Sequence, residues 1–289
     1  MEDNSRTQHA AGFALYWKRF LKNPFSVAGT AIFLFFLLMA GVGPAVAPHG
    51  FQEQNISERL RPPGAAHLFG TDQYGRDIFS RILTGSRGIF ILGGSGTILA
   101  ALLGTAIGLF SGFYGGLIDE TIMRALDILL AFPPLLLALV LLASSGPSLV
   151  NLVAVVTILY TPMLARVVRG LTLDLKTKEF IEAAKTRGES KFYILFREIL
   201  PNALAPLFVE MSMRFSYAIF LVASLGFLGL GQQPPSPDWG LQINEARPYF
   251  STAPWMLLFP AAAISVLVVS TNLMSDGLRQ VLQPTADRR

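Results

Sequence analysis

Two places in this 289-residue chain hold side chains whose types and spacing could do chemistry. Glu210 and Arg214 stand four apart in an otherwise uncharged apolar run, so a helix through them puts both on one face. A lone charge at the centre of a membrane helix costs at least about 2.5 kcal/mol, so both should face the protein interior or a wet path, and should pair. Such a pair could simply hold a bundle together, or it could line a path and meet both ends of a zwitterion. The second place is residues 178–201, KEFIEAAKTRGESKFYILFREILP, where Phe180, Ile181, Ala184, Phe192, Leu195, Phe196 and Ile199 recur at helical spacing in a polar stretch. Two short helices broken near Gly188 would carry an amphipathic face that something else must cover. The chemistry there is docking. Glu182 offers a carboxylate to a donor, Ala183 and Ala184 permit close approach, and Gly188 permits a reversal.

Other chemistries lack their residues. The chain has no Cys, which excludes disulfides, thiolate metal sites and thiol catalysis. His9, His49 and His67 make no ligand spacing and read as surface residues, so no metal site is expected. No Gly-Lys dipeptide occurs, hence no phosphate-binding P-loop and no ATP hydrolysis by this chain. The nucleophile-elbow and zinc-helix patterns are missing as well, so no catalytic residue and no cofactor of its own are expected. The block LFGTDQYGRD at 68–77 reads as turn chemistry, with Asp72 and Asp77 bonding their own backbone.

The elements that position these residues are membrane helices. The chain is 52% hydrophobic and 15% charged, with mean hydropathy +0.50. Six spans are expected, at about 26–47, 89–113, 122–143, 149–168, 203–227 and 255–273. Gly104, Gly108 and Gly112, four apart, suit close helix approach within one bundle, and Pro133-Pro134 should kink the third span. Residues 1–25 should form a tail and a basic amphipathic helix lying in the headgroup region, in which Phe13, Trp17, Phe20 and Leu21 oppose Lys18, Arg19 and Lys22. Ala45-Val46-Ala47 imitates a cleavage site, but the membrane-length core favours a retained helix. A loop outside the membrane at 48–88, a core at 89–277 and a tail at 278–289 complete the domain expectation.

The +4 net charge could suggest nucleic acid, but the basic residues cluster between apolar spans. Counted by side, 16 of the 23 Lys and Arg fall with the termini and with 178–201, and 6 fall on the other side. That asymmetry predicts cytoplasmic termini and a cytoplasmic 178–201 segment.

Glu182-Ala183-Ala184, Gly188 four positions after Ala184, and Leu200-Pro201 resemble the EAA signature of ABC importer permeases. LFGTDQYGRDIFSRILTGSR, MRALDILLAFPPLLLAL, ILPNALAPL, LGFLGLGQQPPSPDWG and TAPWMLLFPAAAISVLVVSTNLMSDGLR extend the resemblance, in order, to the C-type permease of dipeptide and oligopeptide importers. The chain departs from that pattern at Glu198, where the general signature has an apolar residue, and at Val222, where relatives often carry an acid. The resemblance implies an all-α, six-span type I ABC importer permease in a bacterial cell membrane. Its 178–201 segment would form coupling helices in a groove of an ATPase subunit. Implied partners are a B-type permease, two ATP-binding subunits that hold ATP and Mg, and an extracytoplasmic substrate-binding protein. Nickel and glutathione permeases share the branch and stand as alternative cargoes. A stand-alone secondary transporter should show an internal repeat and ion-coupling residues, and none is found beyond Glu210 and Arg214.

Overall fold

The computed structural model describes residues 20, 21 and 23–282. Most of the interfacial helix expected within 1–25, His9 among its neighbours, and the tail from 283 therefore lie outside the described residues. Every regular element among those described is helical. α1 (Pro24–Val46) starts where the Asn23 side chain accepts from the N–H groups of Phe25 and Ser26, with Pro24 preset for the first turn. α2 (Ile78–Tyr114), α5 (Leu149–Leu175), α7 (Lys191–Phe227) and α9 (Trp255–Leu282) complete a set of five helices long and apolar enough to cross a membrane. Between them run α3 (Gly116–Leu130), α4 (Pro134–Ser145), α6 (Glu179–Thr186) and α8 (Trp239–Ala246).

The expected kink at Pro133-Pro134 is a full break. α3 stops at Leu130, Pro134 opens α4, and the two axes meet at 86°. Neither proline can donate an N–H to the preceding turn, and a proline ring clashes with the carbonyl four residues back. Together α3 and α4 have the length and composition of one broken span, so the bundle has five spans, or the expected six if this bent pair counts as one.

Four helices exceed their expected lengths, each for a local reason. α2 begins eleven residues before the expected 89 because Asp77 caps it, accepting from Ser80 N–H at 2.7 Å, and because Ser80, Arg81 and Thr84 are buried against neighbouring loops. α7 runs straight from Lys191 into the span, so the second half of the 178–201 segment is a polar extension of a membrane helix and no separate short helix. Its hydrogen bonding opens to a π-helix at Ile194–Ile199, directly before Pro201. Pro201 cannot donate to the preceding turn, and a widened turn lets the axis continue past it. α5 and α9 run on to Leu175 and Leu282.

Packing is set by glycine. A Cβ on Gly96 would lie 2.5 Å from Val156, on Gly104 2.8 Å from Leu164, on Gly108 2.5 Å from the Ala165 carbonyl and on Gly112 2.8 Å from Thr172. Both series rise together, so α2 and α5 run parallel in near-backbone contact, as the small-residue spacing predicted. α1 and α9 meet the other way, Gly29 against Ser270 and Leu273, Gly277 against Ser26. The outward faces carry Leu102, Val140, Val150 and Phe220, all exposed and apolar, as a surface in contact with lipid or other membrane helices requires.

The two ends of the bundle differ. At one end, residues 47–77 and 228–254 form a cap held by buried charge. Arg76 donates from Nε to Asp72 at 2.5 Å and from Nη2 to Glu245 at 2.7 Å. Arg81, 1% exposed at its side chain, donates to the carbonyls of Phe51 (3.3 Å) and Ser236 (3.2 Å) and lies 3.6 Å from Glu245. Asp72 also takes the N–H groups of Tyr74 and Arg76, the turn chemistry read from the sequence. Asp238 caps α8 through Leu241 N–H at 2.8 Å, and complete burial pushes its carboxyl up to about 6 against those backbone donors and Arg81. Trp239, wholly buried, donates its indole N–H to the Ile82 carbonyl at 3.0 Å. The same cap corrects the surface reading of His67, while the His49 side chain keeps 34% exposure. His67 is buried with its Nδ1 2.9 Å from Asp77, and its ring lies 4.8 Å from that of His49.

At the opposite end sits the 178–201 segment. Arg169 makes a bidentate pair with Asp119, Ser111 donates to the same carboxylate, and Lys176 Nζ donates to the Gly112 carbonyl at 2.8 Å. These contacts bind the end of α2, the start of α3 and the end of α5 into one base beneath the segment.

Candidate coupling surface and transport path

α6 is an eight-residue helix with a buried and a bare side. Ile181 and Ala184 have no exposed surface and join the apolar core formed with α2, α5 and α7. Glu182, Ala183, Lys185 and Gly188 are exposed. The structure therefore divides the expected docking residues. Ala184 belongs to the packing of α6 on its own chain and is unavailable to a partner, because the period that puts Ile181 inside puts Ala184 there too. Glu182, Ala183 and Gly188 remain on the free side. Glu182 accepts from Lys185 at 2.7 Å, an exposed pair worth less than about 1 kcal/mol, so an incoming donor displaces it easily.

The helix ends as a left-handed glycine cap. Gly188 has φ +78°, its N–H donates to Lys185 O at 2.9 Å, and Glu189 N–H donates to Ala184 O at 3.2 Å. A Cβ there would meet nothing within 4 Å, so the requirement for glycine is torsional. Ser190 then caps the start of α7, accepting from Tyr193 N–H at 3.2 Å. Four aromatic side chains, Phe180, Phe192, Tyr193 and Phe196, are exposed beside this turn, with Phe192 and Phe196 stacked at 6.1 Å. An exposed aromatic cluster on a charged segment is the composition of an interface core. Sequence periodicity placed Phe192 and Phe196 with Leu195 and Ile199 on one face. The π turn rotates them apart, leaving Leu195 and Ile199 buried.

Glu210 and Arg214 pair within one turn of α7, as their spacing predicted. Arg214 Nε donates to Glu210 Oε1 at 2.7 Å and Nη2 donates to the same oxygen. The Arg214 Nη1 lies 3.1 Å from Met163 Sδ, and its guanidinium sits 5.5 Å from the Tyr217 ring centre, a cation–π contact. A cavity of about 390 Å³ opens beside it, lined by Arg214, Tyr217, Tyr160, Met163 and the Pro134-Leu135 start of α4. Glu210 is not among the lining residues. The pair therefore presents one charge to the cavity, held from behind by the other. Tyr217 is findable from sequence, three residues past Arg214 on the same face. Tyr160 and Met163 share a face of α5, but only the pairing of α5 with α7 brings them here. Val222 is buried in the bundle core and takes no part in the cavity.

The structure is thus a bundle of five to six apolar spanning helices, with an exposed amphipathic helix–turn at one end and a charge-latched cap at the other. Residues 104–288 match the sequence model of the binding-protein-dependent transport system inner membrane component, and residues 13–63 match the N-terminal membrane domain of oligopeptide transport permease C. The chain belongs to the binding-protein-dependent transport family and has its type I ABC importer permease fold. Among characterised relatives, it is 42% identical to the dipeptide transport system permease protein DppC of Alkalihalophilus pseudofirmus, over 93% of this chain and 88% of that protein. It is 42% identical to the glutathione transport system permease protein GsiD of Pectobacterium atrosepticum, over 93% and 90%. It is 38% identical to the dipeptide permease DppC of Haemophilus influenzae, over 93% of each chain.

Proposed function

We propose that the chain is one of two permease subunits of an ATP-driven importer of dipeptides or short oligopeptides, with the bare face of α6 and the turn at Gly188 as its handle. The observation that carries this reading is the exposed set Glu182, Ala183, Gly188, Phe180 and Phe192 projecting beside an otherwise apolar bundle. The chain makes and breaks no bond. ATP and Mg are held by two partner ATP-binding subunits, a B-type permease supplies the other half of the pore, and a substrate-binding protein delivers cargo to the cap. The charge count supports cytoplasmic termini and a cytoplasmic α6, in a bacterial cell membrane. Closure of the ATP-binding subunits moves α6. Because α7 is one helix from the turn to the Arg214 cavity, a rotation at the segment is delivered directly to the path. Arg214 meets the carboxylate end of a peptide, and the ring faces of Tyr160 and Tyr217 accept its side chains.

The similarity to a glutathione permease favours a second cargo reading, a short peptide of glutathione type, whose carboxylates suit the single cationic lining residue. Mass spectrometry of the ligand retained by the cognate binding protein distinguishes the two.

Ala183→Trp and Glu182→Arg test the handle in the reconstituted complex. Each is expected to lower uptake at least about tenfold while the ATP-binding subunits continue to hydrolyse ATP, since Ala183 and Glu182 contribute nothing to the packing of their own chain. Unchanged uptake with both substitutions contradicts the reading.

A further inference from the structure

The cap holds a cluster of side chains away from both the α6 surface and the Arg214 cavity. His49 follows the end of α1, His67 lies in the loop, and Asp77 caps α2. One ligand atom from each lies within 4.8 Å of the others. His67 Nδ1 is 2.9 Å from Asp77 Oδ1, His49 Nδ1 is 3.9 Å from Asp77 Oδ2, and the two imidazole rings lie 4.8 Å apart at 33°. The two nearer Nδ1 atoms thus converge on one carboxylate whose side chain is 2% exposed.

Hydrogen bonding alone accounts for half of this arrangement. His67 bridges Asp77 and Glu58, and burial opposes its charged form while both hydrogen bonds raise its pKa above the ordinary histidine value. His49 is left over. The His49 side chain is 34% exposed, but its Nδ1 is buried, points at Asp77 from 3.9 Å and has no hydrogen-bond partner. A buried polar atom without a partner costs roughly 1–3 kcal/mol and calls for an explanation. A cation among the three ligand atoms supplies one. It also explains Glu58. With His67 Nδ1 turned to a metal, the opposite Nε2–H faces Glu58 Oε2 at 3.4 Å, and Glu58 is itself held by Asn55 at 2.9 Å and Arg61 at 2.9 Å. A carboxylate behind a ligating histidine, fixed in turn by its own donors, is the outer-shell arrangement that orients metal ligands.

We propose that His49, His67 and Asp77 form a binding site for a resident divalent transition cation, with Glu58 as the outer partner of His67. Two imidazoles and one carboxylate select a borderline cation of the zinc class over magnesium or calcium, and water completes four-coordination. The three ligands lie at the start, in the middle and at the end of the 47–77 loop that joins α1 to α2, so the cation pins the loop between two spans. It is a clamp on the cap, at the end of the bundle away from α6.

The experiment uses the full-length chain purified with its partner subunits through a tag free of histidine, stripped by a chelator and dialysed. Zinc chloride is then titrated and bound metal counted by mass spectrometry. Cobalt substitution reports coordination by its visible absorption. The expected result is one more zinc per complex in the native protein than in His49→Gln, a nitrogen/oxygen-type cobalt spectrum lost in the same variant, and a zinc-dependent rise in melting temperature lost with it. His67→Gln should lower affinity at least tenfold, and His9→Gln should not change it. If His67→Gln fails to fold, His49→Gln decides, since its Nδ1 makes no hydrogen bond that the fold would miss. Equal zinc content and equal thermal shifts in the native protein and His49→Gln overturn the proposal. Because the readouts are binding and stability, this result is independent of whether α6 couples to an ATPase.

Discussion

Gly108→Leu is expected to abolish accumulation of folded protein in the membrane, while Gly170→Leu leaves it near the native level. The contrast isolates packing from helix propensity, because both residues are glycines inside long membrane helices. A Cβ on Gly108 would stand 2.5 Å from the Ala165 carbonyl and 2.8 Å from the Arg169 amide, both backbone atoms that cannot turn away. A Cβ on Gly170 meets nothing within 4 Å. Forcing four carbons between α2 and α5 exceeds the roughly 1–3 kcal/mol usual for overpacking, because the helices must separate along the whole face from Gly96 to Gly112. Separation would also pull Arg169 from Asp119 and Lys176 from Gly112, releasing the base under α6. Detergent-solubilised yield and size-exclusion profile check the pair of variants. A monodisperse Gly108→Leu protein at native yield would contradict the packing.

The second large effect is expected at Arg214. Arg214→Gln leaves the largely buried Glu210 carboxylate without its cation; breaking a fully buried pair from one side costs about 3–5 kcal/mol, which sets the upper limit here. The double substitution Glu210→Gln with Arg214→Gln removes both charges and should recover most of that stability, because two amides four apart on a helix still satisfy each other. The two roles open to the pair from sequence then separate. If the pair only holds the bundle, the double variant transports normally. With Arg214 facing the cavity and Glu210 behind it, the expected result is a stable double variant whose peptide uptake falls at least tenfold, with discrimination against substrates lacking a free carboxylate weakened. Thermal unfolding and uptake measured on the same preparations decide between them.

What could be read from the chain, and what could not, follows interaction range. The Glu210–Arg214 pair, the glycine face of α2, the break at Pro133-Pro134 and the exposure of Glu182 and Ala183 depend on neighbours within four residues, or on a pattern that every membrane helix must obey. Ala184 lies on the covered side of α6, because the motif gives residue types without saying which side of the helix its own chain covers. Ile181, one turn earlier, already faced the core. The polar residues in the second half of the 178–201 segment predict a separate helix, whereas a π turn before Pro201 carries one axis through both. Most of the cap was not legible. Arg76 pairs with Glu245 across 169 positions, Trp239 reaches Ile82 across 157, and His49 meets His67 only because the 47–77 loop folds back on the start of α2. Turn propensity predicted that Asp72 and Asp77 would bond their own backbone, and they do. It carried no signal for the second oxygen of Asp77, which meets His67 ten residues back, while that of Asp72 accepts from Arg76 Nε within the same turn.

The docking of α6 on an ATP-binding subunit is tested most directly by chemical cross-linking, and the absence of cysteine makes this chain suited to it. A photo-cross-linker is attached to a single cysteine introduced as Ala183→Cys on the bare face of α6, or as Ile56→Cys on the exposed cap at the opposite end, 71% accessible and free of side-chain hydrogen bonds. Irradiation of membranes containing the assembled transporter is expected to join Ala183→Cys to an ATP-binding subunit and to leave Ile56→Cys unjoined to it. An adduct from the Ile56 position, or none from the Ala183 position in a transporter that still takes up its cargo, would contradict the docking of α6.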